Sequence, residues 1–138
     1  MTEKLRQLTI EYLSATDKLI ANRKFGEGLF GMPDSARSSP VHTEFYNAME
    51  ATVKELAGDA PDPETAEALV RFLLTAVEKF PCSKLAEWML LAIQNHALPL
   101  IPFLSPESKA EIFAWYNKAH PRMQRLPGQQ KIAKALKK

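Results

Sequence analysis

The fold is decided by residues 62–80, which read DPETAEALVRFLLTAVEKF. The segment opens with an acidic capping residue, a proline in the first turn and a glutamate, the usual start of an α-helix. Its apolar residues cover a broad helical face, made of Leu69, Val70, Phe72, Leu73, Ala76, Val77 and Phe80. Because a face this wide suits burial on two sides, the pattern predicts a central helix, which Pro81 ends.

The next segment extends the same core. Ser83 is a candidate helix cap, and residues 88–93 are apolar all round, which is typical of a buried helix. Only a short turn separates this helix from the preceding one, so we expect a central antiparallel hairpin over about residues 62–97. Pro99 and Pro102 then leave room for only a short turn of helix.

Further helices are predicted on both sides of the hairpin. Residues 2–22 and residues 39–57 carry apolar side chains at helical spacing, and Gly58 is well placed to end the second helix. Residues 105–107 read Ser-Pro-Glu and start another helix, which Pro121 closes.

A last short helix is expected from about residue 129 to residue 137. No segment alternates apolar and polar residues in the manner of a β-strand, and 138 residues fit one ordinary domain. The prediction is therefore an all-α protein, a compact single-domain bundle or array of five to six helices.

Two of the helix starts are similar in sequence. Asp62-Pro63-Glu64-Thr65 and Ser105-Pro106-Glu107-Ser108 lie 43 residues apart, an offset found in HEAT-type helical repeats. The same four-residue pattern also serves as a good start for any helix. Both interpretations are left open.

The composition points to a cytoplasmic protein. The apolar fraction of 46% is typical of globular chains, and the single cysteine, Cys82, cannot form an internal disulfide. The charged N-terminus does not read as a secretory signal. Residues 88–106 lack formal charge, but the polar residues 94–96 and two prolines favour a buried helix and a turn over a membrane span.

The net charge of +2 hides an asymmetry between the body of the chain and its end. Residues 112–138 carry seven Lys or Arg residues and no Asp or Glu, which makes a basic C-terminal tail at about residues 120–138. Its candidate phosphate contacts are Arg122, Arg125, Lys131 and Lys134. The alternative is a solvated terminal helix whose lysines suit its own C-terminal dipole.

The segment between the first two helices is irregular and unusually apolar. Residues 26–31 read GEGLFG, but the strand and the helix that a dinucleotide-binding turn requires are not predicted around them. The segment contains four neighbouring apolar side chains, Phe25, Leu29, Phe30 and Met32. They either pack against the core or form an exposed protein-binding surface.

Catalytic and metal-binding patterns are incomplete. His42, Glu44 and Cys82 partly match a zinc deaminase signature, but the position of the second cysteine ligand is Leu85. His96 is expected near a helix C-terminus, where the dipole favours a partly protonated imidazole, and His120 is expected in a loop. No cofactor or metal is therefore predicted.

These observations favour a non-catalytic helical protein over an enzyme. The leading hypothesis is a protein–protein interaction module that uses the apolar segment at residues 25–32. The alternative hypothesis is contact with nucleic acid through the basic C-terminal tail. A small enzyme that uses His42, Glu44 or Cys82 is the third hypothesis, and it requires these groups to converge in one pocket.

Overall fold

The computed structural model describes residues 3–21, 40–79, 92–125 and 127–138. Every regular element within these ranges is a helix, so the protein is all-α, as predicted. In chain order these helices are α1 (Glu3–Ala21), α2 (Pro40–Ala57), α3 (Pro63–Lys79), the 3-10 helix η1 (Asn95–Phe103), α4 (Pro106–Ala119), the short 3-10 helix η2 (Arg122–Gln124) and α5 (Pro127–Lys137).

Local capping explains where several helices begin and end. The Thr65 amide donates to Asp62 Oδ1 at 2.7 Å at the start of α3, and the Ser108 amide donates to Ser105 Oγ at 3.2 Å at the start of α4. The two similar sequence patterns therefore cap their helices in the same way. At the end of α2, Gly58 has a positive φ of 73° and its amide donates to the Lys54 carbonyl, as expected of a glycine cap.

Helix α3 lies at the centre of the core, as its broad apolar face predicts. Leu69, Val70, Leu73 and Leu74 are all almost fully buried. The helix packs mainly against η1, with further contacts to α2. Burying apolar side chains on more than one side of a helix is a strong stabilising contribution, because each large side chain contributes about 1.5–3 kcal/mol.

The second half of the predicted hairpin is partly described. Residues 92–94 are α-helical and lead directly into η1, whose residues Ala97, Leu100 and Ile101 are buried. The prolines at 99 and 102 lie inside η1, so the short turn expected there is a longer 3-10 helix of nine residues. Residues 80–91 lie outside the described residues.

A buried polar link connects three of these elements. Gln94 and Tyr116 are both fully buried, and the Tyr116 hydroxyl donates to Gln94 Oε1 at 3.0 Å. Gln94 Nε2 in turn approaches the Leu74 carbonyl at 3.5 Å. Burial raises the pKa of Tyr116 well above its ordinary value, which keeps the hydroxyl protonated as a donor.

The remaining helices pair around this centre. Helix α1 packs along α2, while α5 packs against both α4 and η1. Among the helices that the structure describes, none is long and apolar enough to cross a membrane. The arrangement leaves several concave surfaces beside α5, and two of them lie on different faces of that helix.

Candidate functional site

The basic C-terminal segment is folded onto the core. Ile132, Ala133 and Leu136 on α5 are buried, while the lysines at 131, 134 and 137 are exposed. The helical repeat of 3.6 residues produces this separation, since the buried and charged positions fall on different faces. The expected positive charge is therefore carried on a folded surface between α4, η2 and α5.

One depression in this surface, of about 430 Å³, gathers most of the charge. Its lining includes four basic side chains and no Asp or Glu, and the basic residues are Arg122, Arg125, Lys134 and Lys137. Phe113, Asn117, Gln130 and Ala133 complete the wall. Arg122, Lys134 and Lys137 form no ion pair with a carboxylate in the described part of the chain.

Arg125 connects the elements that form the depression through hydrogen bonds of its side chain. Its Nε donates to the His120 carbonyl at 2.8 Å, its Nη1 donates to Gln130 Oε1 at 3.4 Å, and its Nη2 donates to Asn117 Oδ1. The side chain is half-buried and joins the end of α4 to α5. Much of its donor capacity is thus used within the fold, while its positive charge still contributes to the depression.

The predicted phosphate contacts do not all converge. Arg122, Arg125 and Lys134 line the depression, whereas Lys131 lines a separate cavity on the other side of α5. Lys137 belongs to the basic depression and was not among the predicted contacts. Its spacing of three residues from Lys134 places the two on one helical face, a signal that the sequence contains.

The second concave site lies between α2, η1 and α5 and has a volume of about 440 Å³. Its wall combines apolar and polar groups: Tyr46, Glu50, Val53, Lys54, Asn95, His96, Leu98, Pro99, Gly128 and Lys131. Lys54 Nζ pairs with Glu50 Oε1 at 3.2 Å, one helical turn apart on α2. Gly128 lets α5 approach η1 closely, because a Cβ there would stand 3.2 Å from Asn95 Oδ1.

His96 is the most unusual residue of this cavity. The residue is only 6% exposed, and its Nε2 has no hydrogen-bond partner among the described residues. The Tyr46 ring lies against it with centroids 4.4 Å apart and planes inclined by 43°. Unpartnered buried polar atoms are uncommon in folded proteins, so this nitrogen requires an explanation.

The expected partial protonation of His96 is wrong. Burial disfavours the charged imidazolium and lowers the pKa of His96, although the nearby Glu50 carboxylate acts in the opposite direction. The imidazole is buried and lies against the Tyr46 ring, so water does not stabilise its charged form. His96 is therefore a neutral group at neutral pH.

Several sequence-predicted positions lie outside the described residues. This applies to Phe25, Leu29, Phe30 and Met32, to the glycine pattern at 26–31, and to Cys82. His42 belongs to α2, but its side chain is not described, whereas Glu44 is exposed on that helix. The interaction-surface and small-enzyme hypotheses consequently stay predictions.

The other histidine and the aromatic residues near the basic segment are structural. His120 caps α4, lies 4.7 Å from the Tyr116 ring and approaches Gln129 Nε2 at 3.3 Å. Tyr116 is fully buried and Trp115 packs partly against the core. Phe113 is the aromatic side chain that the depression does present.

Searches for a metal site and for related proteins give negative results. No group of three or more His, Cys, Asp or Glu side chains that could hold a metal ion occurs within the ranges described above. Comparisons with protein-family models, with curated proteins and with solved structures find no match.

Proposed function

We propose that this protein is a non-catalytic helical binding protein that contacts the phosphate backbone of nucleic acid through the basic depression. The observation that carries the proposal is the gathering of Arg122, Arg125, Lys134 and Lys137 around one concave surface without an acidic residue. Phosphate groups are the anions that such a surface attracts in nucleic acids, and the attraction is independent of base sequence.

The packing of this segment against the rest of the fold supports this proposal over a solvated tail. Gln130 Nε2 donates to the Arg122 carbonyl at 3.1 Å, and Arg125 joins α4 to α5, so η2 is held between the two helices. Charges carried on a folded backbone lose less conformational freedom on binding than charges on an unstructured segment. Lys134 and Lys137 lie about one helical turn apart, and a phosphate backbone can meet them in succession.

The protein-interaction hypothesis is the main alternative. Its residues, Phe25, Leu29, Phe30 and Met32, lie outside the described ranges, and no described contact favours it over nucleic acid. A protein partner with an acidic surface would use the same basic depression. A binding experiment with nucleic acid separates the two classes, because a protein-specific surface leaves the probe unbound.

A charge-reversal experiment tests the proposal. The double variant Lys134→Glu/Lys137→Glu and the wild type are titrated against a fluorescein-labelled 20-base-pair duplex and a 20-nucleotide single strand, with fluorescence anisotropy as readout. We expect the variant to bind at least about tenfold more weakly in low salt, because two phosphate contacts become repulsive.

The matched control is Arg6→Glu/Lys18→Glu, which changes the net charge equally through two exposed positions on α1. Its affinity should stay within about twofold of the wild type if the location of the charge decides binding. Equal losses in both variants, or no binding by the wild type, would contradict the proposal. Circular dichroism confirms that each variant keeps its helices.

A further inference from the structure

We propose that the cavity between α2, η1 and α5 binds a small organic monoanion, a carboxylate with an apolar body, whose second polar group meets His96 Nε2. This inference is independent of the nucleic-acid proposal. It concerns the cavity lined by Tyr46, Glu50, Asn95, His96 and Lys131, on the opposite side of α5 from the basic depression.

The size of the cavity fits a small ligand. Its volume of about 440 Å³ falls within the range of known small-molecule sites. Three separate elements supply its wall, and Gly128 keeps the first turn of α5 close to Asn95. Such a cavity at the meeting point of helices is a common place for a ligand in helical proteins.

His96 supplies an observation that points to a ligand. The imidazole is buried and nearly inaccessible, yet its Nε2 contacts no donor or acceptor of the described residues. A neutral imidazole nitrogen accepts or donates one hydrogen bond, according to its tautomer. Nε2 is covered in this structure, so a hydroxyl or carbonyl group of a bound molecule would reach it as the side chains around this part of the cavity wall move apart.

The remaining groups determine the charge and shape of the ligand. Lys54 is already paired with Glu50, so Lys131 is the cation of the cavity wall that forms no described ion pair. One such cation matches one carboxylate. The Glu50 carboxylate in the same wall disfavours multiply charged anions such as free phosphate.

The body of the ligand is expected to be apolar. Val53, Leu98 and Pro99 provide aliphatic surface, and the Tyr46 ring provides an aromatic face. Tyr46 is 39% exposed despite its size, so part of this face is open to a bound molecule. An aromatic or branched carboxylate would cover that surface while its charged group stays near Lys131.

The test is a titration of the full-length protein with benzoate, 4-hydroxybenzoate and inorganic phosphate. Long-range proton–nitrogen spectra follow the imidazole nitrogens of His96, assigned by comparison with His96→Leu. We expect 4-hydroxybenzoate or benzoate to shift the His96 resonances saturably, while phosphate has no effect at the same concentration.

Matched variants locate the carboxylate. Lys131→Gln should weaken binding of the shifting carboxylate at least fivefold, whereas Lys134→Gln, three residues further along α5, should change it less than twofold. His96→Leu should lose the preference for 4-hydroxybenzoate over benzoate. The variant Lys134→Glu/Lys137→Glu should keep full carboxylate binding, which separates this site from the nucleic-acid proposal.

Two results would overturn the inference. The first is the absence of a saturable His96 shift with both carboxylates in wild-type protein. The second is an equal affinity of the wild type and Lys131→Gln, which would show that the carboxylate does not bind at this cation.

Discussion

At the scale of single residues, the link between Tyr116 and Gln94 makes the clearest energetic prediction. Both side chains are fully buried, and the Tyr116 hydroxyl donates to Gln94 Oε1. Tyr116→Phe keeps the ring but leaves a buried acceptor without its donor. We expect the free energy of unfolding to fall by about 1–3 kcal/mol, measured by urea denaturation.

A double-mutant cycle provides the control for this link. In Gln94→Leu the hydroxyl of Tyr116 loses its acceptor, whereas in the double variant neither polar atom remains. We expect the double variant to be clearly more stable than the sum of the two single changes implies. Strictly additive losses would show that the hydrogen bond does not couple the two residues.

His96 makes a prediction about acid stability. Its pKa is lowered from the ordinary 6.5, so the unfolded chain takes up a proton at a higher pH than the folded protein. The unfolded state then binds more protons as the pH falls through this range, and the folded state loses stability. We expect the free energy of unfolding to decrease between pH 7.5 and pH 5.5.

The variant His96→Leu isolates this contribution. Leucine removes both the titration and the unpartnered Nε2, so stability at pH 7.5 should be equal or higher by about 1 kcal/mol. The decrease towards pH 5.5 should also become shallower, as followed by urea unfolding at each pH. An unchanged slope would show that His96 is not the source of the pH dependence.

At the scale of helices, capping residues determine where the main elements begin. Ser105 Oγ accepts a hydrogen bond from the Ser108 amide at the start of α4. Ser105→Ala leaves that amide without its partner, and we expect a loss of about 1 kcal/mol in the free energy of unfolding.

Ser14 is the matched control for this capping prediction. It is exposed within α1, where alanine is a better helix former than serine. Ser14→Ala should therefore leave stability unchanged or raise it slightly in the same thermal or urea unfolding assay. Similar losses at both serines would show that capping is not the cause at Ser105.

Such local signals explain how much of the fold could be predicted from sequence. Proline and capping residues correctly predicted the starts of α2, α3 and α4, and Gly58 correctly predicted the end of α2. The last helix begins at Pro127, two residues before the predicted start, since proline is well accommodated in the first turn. Apolar spacing also identified α3 as central.

The helix η1 shows where local signals are insufficient. Pro99 and Pro102 argue against a regular α-helix, but they do not reveal that nine residues form a buried 3-10 helix against α3 and α5. The burial of His96 depends on the same long-range packing. Its side chain is covered by Tyr46, 50 positions earlier in the chain, and no local pattern contains that contact.

At the scale of the whole molecule, the basic C-terminal segment contributes buried side chains to the core and charged side chains to the surface. Ile132 and Leu136 are buried, so removal of residues 122–138 would withdraw large apolar side chains from the core as well as remove the charges. Each such loss costs about 2–5 kcal/mol when the side chain is truncated to alanine. Point changes of exposed lysines are therefore the appropriate test of binding.

The candidate site could be predicted only in part from the sequence. The excess of Lys and Arg in residues 112–138 is visible in the sequence, but its division between two sides of α5 is not. Tertiary contacts place Lys131 and His96 in the wall of one cavity and give Arg125 its hydrogen bonds to Asn117 and Gln130. Charge density thus predicted a binding region, while packing determined which charges act together.

The salt dependence of nucleic-acid binding tests the central proposal most directly. Affinity for the 20-base-pair duplex is measured by anisotropy between 20 and 200 mM NaCl for the wild type and for Arg122→Ala. Three or four phosphate contacts predict a slope of log affinity against log salt of about −3, and the loss of one contact should reduce its magnitude by about one. A slope near zero, or an identical slope in Arg122→Ala, would contradict the assignment of the depression to phosphate binding.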